Sequence, residues 1–128
     1  MIEANTNGQV QRLVIKEKFP SLNEVIDIAR SDRYRSNDLK STYTGIVVWE
    51  CRAQRIKPVK CADFTFIWTE QNKRRNKDNI ASAKKFILDG LQAAGVIEND
   101  GWKQINTLRD EFRVGSGYSV EVVISEAY

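Results

Sequence analysis

The sequence predicts an α/β fold: a single domain over residues 1–128, with a mixed sheet, helices packed on it and the element order β-α-α-β-α-β-β. Three observations carry this. Two segments alternate with the strand period of two, around Phe64-Thr65-Phe66-Ile67-Trp68 and from Tyr118 to Ile124. Two others space apolar residues as a helix does: Leu22, Val25, Ile26 and Ala29, then Ile80, Ala83, Ile87, Leu91 and Ala94. No internal repeat, linker or low-complexity tract divides them.

Met1–Gly8 has little core-forming character and is expected to fray. Gln9–Phe19 reads as a strand, with Leu13, Ile15 and Phe19 on one face and Arg12, Lys16 and Lys18 on the other. Pro20 opens a first helix in which Ser21 and Glu24 have capping-box spacing, so each can satisfy an orphan backbone N–H. Arg33-Tyr34-Arg35 then breaks the pattern between Ser31 and Asn37. Arginine with tyrosine can grip phosphate and stack on bases; an exposed polar connector reads equally well. Asn37 or Asp38 is placed to cap a second helix running to about Arg55. Leu39, Tyr43, Ile46, Trp49, Ala53 and Ile56 fall mostly on one side of it, and Arg52 and Arg55 lie near its C-terminus, where the dipole favours cations. Gly45 weakens this helix and Pro58 ends it. Cys61–Glu70 is the clearest strand, its aromatic side expected in the core. Lys103–Tyr128 reads as two strands about a hairpin turn at Gly115-Ser116-Gly117.

Composition limits the chemistry. Hydrophobic content is 41% and charged content 29%, ordinary for a globular protein. No apolar run approaches the ~20 residues that cross a bilayer, and the N-terminus lacks an export pattern, so the expectation is a cytoplasmic protein with no membrane partner. Cys51 and Cys61 are too few for a disulfide framework. Histidine is absent, which removes Ser-His-Asp and Cys-His nucleophiles and His-rich zinc sites. Carboxylates, lysines and a hard ion such as magnesium remain. Charge is uneven: residues 30–85 hold fourteen Lys or Arg against six Asp or Glu, whereas residues 86–128 hold three against seven. A basic half is the footprint of a phosphate-backbone binder, though a solvated surface would carry it too.

The richest stretch runs from Asn72 to Lys103. A basic loop, Lys73-Arg74-Arg75-Asn76-Lys77, leads to Asp78 at the start of a predicted helix that continues to Gly95. On a helical wheel Asp78, Ser82, Lys85 and Asp89 form one stripe, opposite the apolar one; Lys84 lies at the apolar edge. Asn99-Asp100-Gly101 then makes a turn. Residue by residue, capping by Asp78 or Asn79, an i,i+4 pair of Lys85 with Asp89 and a plain turn explain these features. Together they supply two carboxylates, a lysine and a surrounding positive field, which is what metal-dependent cutting of a phosphodiester needs.

The run Arg74-Arg75-Asn76-Lys77-Asp78-Asn79, then Lys85, Asp89-Gly90-Leu91, Ala94-Gly95-Val96, Asn99-Asp100 and Gln104-Ile105, resembles the signature of RusA-type Holliday junction resolvases, endodeoxyribonucleases of phages and prophages. Pro20-Ser21-Leu22-Asn23 is similar to that family's early Pro-Ser-x-Asn loop, and the likeness spans most of residues 13–126. It implies a homodimer that binds four-way DNA junctions and nicks two opposed strands with magnesium, or with manganese. Metal ligands would be Asp78, Asp100 and position 76; the essential lysine would be Lys85. DNA contacts would come from Lys73, Arg74, Arg75, Lys77 and Lys84, with Arg33, Arg35 and Asn23. Two departures stand out. The Asp78–Asp89 stretch is three residues longer than the short family pattern, which leaves Ser82 where simple counting would put the lysine. Position 76 is Asn, an oxygen ligand without charge, with Glu70 and Glu98 as acids that could compensate. The alternatives are a junction-binding protein impaired in or lacking turnover, and an α/β domain unrelated to DNA.

Overall fold

Leu13 and Ile15 point inward along β1 (Val10–Ile15) and are fully buried. The structure, a computed structural model, describes residues 9–127; the expected fraying of Met1–Gly8 lies outside them. β1 stops short of the predicted Phe19 because Lys16, Glu17 and Lys18 add no apolar side to the strand. Phe19 is buried all the same, from the following loop, where its ring lies 5.4 Å from Tyr43 and 6.4 Å from Phe86. α1 (Leu22–Ser31) has the predicted capping box: the Glu24 N–H donates to Ser21 Oγ at 3.2 Å and the Ser21 N–H to Glu24 Oε1 at 3.1 Å. Its apolar face is poorly covered, with no residue fully buried.

α2 (Arg33–Ala53) begins earlier than predicted. Asp32 is its cap, accepting from the Tyr34 and Arg35 N–H groups at 3.0 and 3.1 Å, so Arg33-Tyr34-Arg35 is a first helical turn rather than a connector. Tyr43, Val47 and Cys51, spaced i,i+4, face the core, while Trp49 is 67% exposed against expectation. Cys51 and Cys61 are free thiols, and burial pushes the Cys51 thiol up to about 11. The helix ends before Pro58 in a Schellman motif: the Ile56 N–H reaches Cys51 O at 2.9 Å and the Arg55 N–H reaches Arg52 O at 3.2 Å. This puts Arg55 at φ 55°, a left-handed conformation that strains any residue with a Cβ. Arg55→Gly is therefore expected to stabilise the protein by about 0.5–1 kcal/mol, relief of strain outweighing the added unfolded-state entropy; the shift in the urea midpoint measures it.

β2 (Ala62–Glu70), β3 (Ile105–Val114) and β4 (Ser119–Glu126) complete one mixed sheet in the order β1-β4-β2-β3, with β2 and β3 parallel. The element order is the predicted one, except that the central helix comes as two segments, α3 (Lys77–Ala81) and α4 (Lys84–Ala93). The predicted β3–β4 hairpin is not present. The chain instead crosses the end of β2, with the Gly115 N–H donating to Glu70 O at 2.8 Å, and β4 inserts between β1 and β2. Hydrophobicity accounts for this placement. Val120, Val122 and Ile124 of β4 are fully buried in the middle of the sheet, while β3, with Arg109, Glu111 and Arg113, suits an edge. The helices lie on the face carrying Phe64, Phe66 and Trp68, which are in the core as expected. Among the described residues, no helix is long and apolar enough to cross a membrane.

Candidate functional site

The break between α3 and α4 decides the geometry here. The Ser82 hydroxyl donates to the Asn79 carbonyl at 2.8 Å, and the Ala83 N–H turns to Ile80 O at 3.3 Å. Such back-bonding competes with the i→i−4 ladder, and the turn tightens to i→i−3 contacts through Phe86. The single wheel predicted from Asp78 to Asp89 therefore does not hold across Ser82 and Ala83. Asn76, not Asp78 or Asn79, occupies the N-cap position of α3, and its side chain makes no capping hydrogen bond. Asp78 Oδ1 accepts only from the neighbouring Asn79 N–H at 3.0 Å, and among the described residues Asp78 has no ion pair.

Lys85 follows the sequence reading more closely. Its ammonium lies 3.0 Å from Asp89 Oδ1 and 3.3 Å from Asp100 Oδ2, while its side chain stays 65% exposed. Hydrogen bonds to Asp89 first and Asp100 second hold its pKa above the ordinary lysine value, so it is charged at neutral pH. Asp100 is placed by α4 and by its own turn. Gly95, at φ 78°, closes α4 in a second Schellman motif, and the Asp100 N–H donates to Asn99 Oδ1 at 2.9 Å. Val96 and Ile97 are buried and anchor the segment that delivers the turn.

The predicted residues are only partly gathered. Lys85 and Asp89 open onto a groove of about 310 Å³ floored by Leu22, Val25, Leu39 and Phe86. Asn76, Lys73 and Lys77 open onto another of about 450 Å³ beside Phe112. Asp100 also lines a third, with Leu88 and Trp102. Asn76 and Asp78 form no hydrogen bond or ion pair with Asp100 or Lys85, and among the described residues no three His, Cys, Asp or Glu side chains cluster to hold a metal.

Two of the expected phosphate contacts have internal partners. Arg75 donates through Nε and Nη2 to both oxygens of Glu70 at 2.9 and 2.7 Å, and through Nη1 to Phe19 O at 2.8 Å. Its pKa is raised, chiefly by the Glu70 hydrogen bonds. Arg75 therefore anchors the basic loop, and Glu70 is engaged rather than free to replace a missing metal ligand. Lys84 lies 2.6 Å from Asp110 Oδ2 and over the Phe66 ring at 5.5 Å, while Asp110 Oδ1 accepts from Trp68 Nε1 at 3.0 Å. Lys73, Arg74 and Lys77 are exposed, as are Arg33, Arg35, Asn23 and Glu98. Lys77 rests over the Phe112 ring at 5.5 Å. The signal for Glu70 was present in the sequence, because it continues the inward parity of Phe64, Phe66 and Trp68. Asp110 had no such signal, being 26 positions from Lys84.

No family model matches this chain, and no curated protein matches it.

Proposed function

We propose that this chain is a structure-selective endodeoxyribonuclease, dependent on magnesium or manganese, that nicks four-way DNA junctions symmetrically as a homodimer. The observation that carries the reading is the lysine held between two carboxylates: Lys85, charged and accessible, at 3.0 Å from Asp89 and 3.3 Å from Asp100, on the helix that follows the exposed Lys73, Arg74 and Lys77 in the chain. The resemblance of Arg74–Ile105 to RusA-type resolvases supplies the substrate class and the cytoplasmic, phage- or prophage-encoded setting.

Asp78, Asp100 and Asn76 offer hard oxygen donors that suit magnesium, and neither Asp78 nor Asn76 is committed to a cation. Asn76 and Asp100 lie on separate grooves, so holding one magnesium ion would require these donors to be drawn together; the ion would then supply water activation and offset charge on the phosphate. Asp100 meets Lys85 through Oδ2, leaving Oδ1 to serve as a ligand. Lys85 neutralises a phosphate or leaving oxygen; Asp89 orients it and keeps it protonated. Lys73, Arg74 and Lys77, with Arg33 and Arg35, hold backbone phosphates, which makes binding salt-dependent and largely sequence-blind. A second reading, a junction binder without turnover, is favoured by the uncharged amide of Asn76.

The test is nicking of a labelled four-way junction with magnesium or manganese, against EDTA. Paired nicks, lowered about 100-fold by Lys85→Ala, are expected. Nicks that appear only in Asn76→Asp identify an impaired metal site. Binding without cutting by either protein favours the second reading, and neither binding nor cutting refutes both.

A further inference from the structure

The two edges of the sheet are treated differently. Along β1 the outward backbone is occupied by side chains: the Val14 N–H donates to Gln54 Oε1 at 3.0 Å, and Gln54 Nε2 donates back to Val14 O at 2.7 Å. The Gln54 amide thus stands in for a neighbouring strand's peptide. Gln11 does the converse with the Lys57 backbone, at 3.0 and 2.7 Å. β3 has no such cover among the described residues. It is ten residues long, lacks proline and lysine, and leaves Leu108 47% and Val114 54% exposed. An open edge of this length is a template for strand pairing.

The parity of β3 says which groups are open. Gly115 N–H bonds back to Glu70 of β2, whose partner in register is Val114. The register shifts by one residue at Asn106; beyond that bulge the odd residues of β3 face β2, and Leu108, Asp110, Phe112 and Val114 turn their N–H and C=O groups outward. The side chains of Leu108, Asp110, Phe112 and Val114 lie on the helix-covered face, and those of Thr107, Arg109, Glu111 and Arg113 on the open face, where the Asn106 amide also reaches Asp63 Oδ1 at 2.8 Å.

We propose that β3 pairs antiparallel with β3 of a second copy of this chain, about a twofold axis through Asp110, to give one continuous eight-stranded sheet. This register matches the open backbone groups from Leu108 to Phe112. It sets Arg109 opposite the partner copy's glutamate at the Glu111 position, twice by symmetry, and Leu108 opposite a copy of Phe112. Neighbouring even-residue registers lose this: one sets Arg109 against its own copy, the other sets it against a copy of Arg113. Arg109 makes no ion pair among the described residues, and Glu111 has only a distant one to Arg113 at 3.9 Å. The Asp110 copies that meet at the axis are each already neutralised by Lys84 at 2.6 Å and hydrogen-bonded by Trp68 at 3.0 Å. The inference shares with the nuclease reading only the need for two copies.

Sedimentation velocity of the full chain without DNA tests it, on the native protein, Arg109→Glu, Glu111→Arg and the double swap. A dimer is expected, with each single variant weakening it about tenfold, since two symmetric pairs turn repulsive, and with the double swap restoring it. Both side chains are exposed on the face away from the helices, so circular dichroism should be unchanged. Slowed exchange of the Leu108, Asp110 and Phe112 amides at dimer concentrations is also expected. A monomer throughout, a dimer indifferent to the single variants, or a double variant weaker than either single one overturns the proposal. Junction nicking is scored separately, so loss of one reading leaves the other standing.

Discussion

Glu70→Ala should destabilise the protein by about 3–5 kcal/mol, the cost of removing one partner of a buried ion pair. Glu70 is 7% exposed, and both its oxygens accept from Arg75. Without it, the guanidinium keeps only Phe19 O as a partner, in a site where its side chain is 17% exposed. The penalty arises from the stranded charge more than from the lost attraction. Glu70→Gln should cost less, because an amide oxygen still accepts one hydrogen bond. Glu70→Leu with Arg75→Met should recover most of the loss, since neither charge remains. Urea denaturation of the three variants measures this. A loss below about 1 kcal/mol in Glu70→Ala would mean that the pair behaves as a solvated surface bridge. The same contact ties the basic loop to β2 and to Phe19, so junction binding by the folded fraction should fall along with stability.

Gly90→Ala should cost about 2–3 kcal/mol, although glycine to alanine inside a helix ordinarily stabilises by ~1 kcal/mol. The sign reverses because α4 crosses α2 at Gly90. A Cβ there would overlap Val47 Cβ and Cγ1 and lie 3.2 Å from Thr44 O. Val47 Cβ is fixed to the backbone, so no rotamer change relieves the overlap and the helices must separate, loosening the fully buried Ile87 and Val47. Val47→Ala should rescue only partly, since its Cβ remains. Gly45→Ala is the control: it is in α2, nothing lies within 4 Å of its added Cβ, and it should stabilise by about 0.5–1 kcal/mol. Thermal melting of the variants separates packing from propensity, and a Gly90→Ala as stable as the parent would place the helices farther apart.

Much of the fold was legible locally. The capping box of Ser21 and Glu24, the inward parity of Phe64, Phe66 and Trp68, the alternation of Val120, Val122 and Ile124 and the end of the helix at Gly95 rest on near neighbours and periodicity, which a sequence records directly. The pairing of Lys85 with Asp89 is one helical turn, equally local. The tertiary structure alone decided what depends on competition among distant segments. β4, not β3, took the place beside β1 and β2 because its inward residues are the more apolar, and the expected hairpin gave way to that gain in burial. Arg75 and Lys84 found carboxylates on β2 and β3 because a partly buried cation without a partner is costly, so two residues read as phosphate contacts hold the framework instead. The sequence by itself therefore determined the elements, their inward faces and a lysine set between acids. Strand order and the division between anchoring and free cations were settled only when the chain closed on itself, because burial and charge pairing are decided among whole elements.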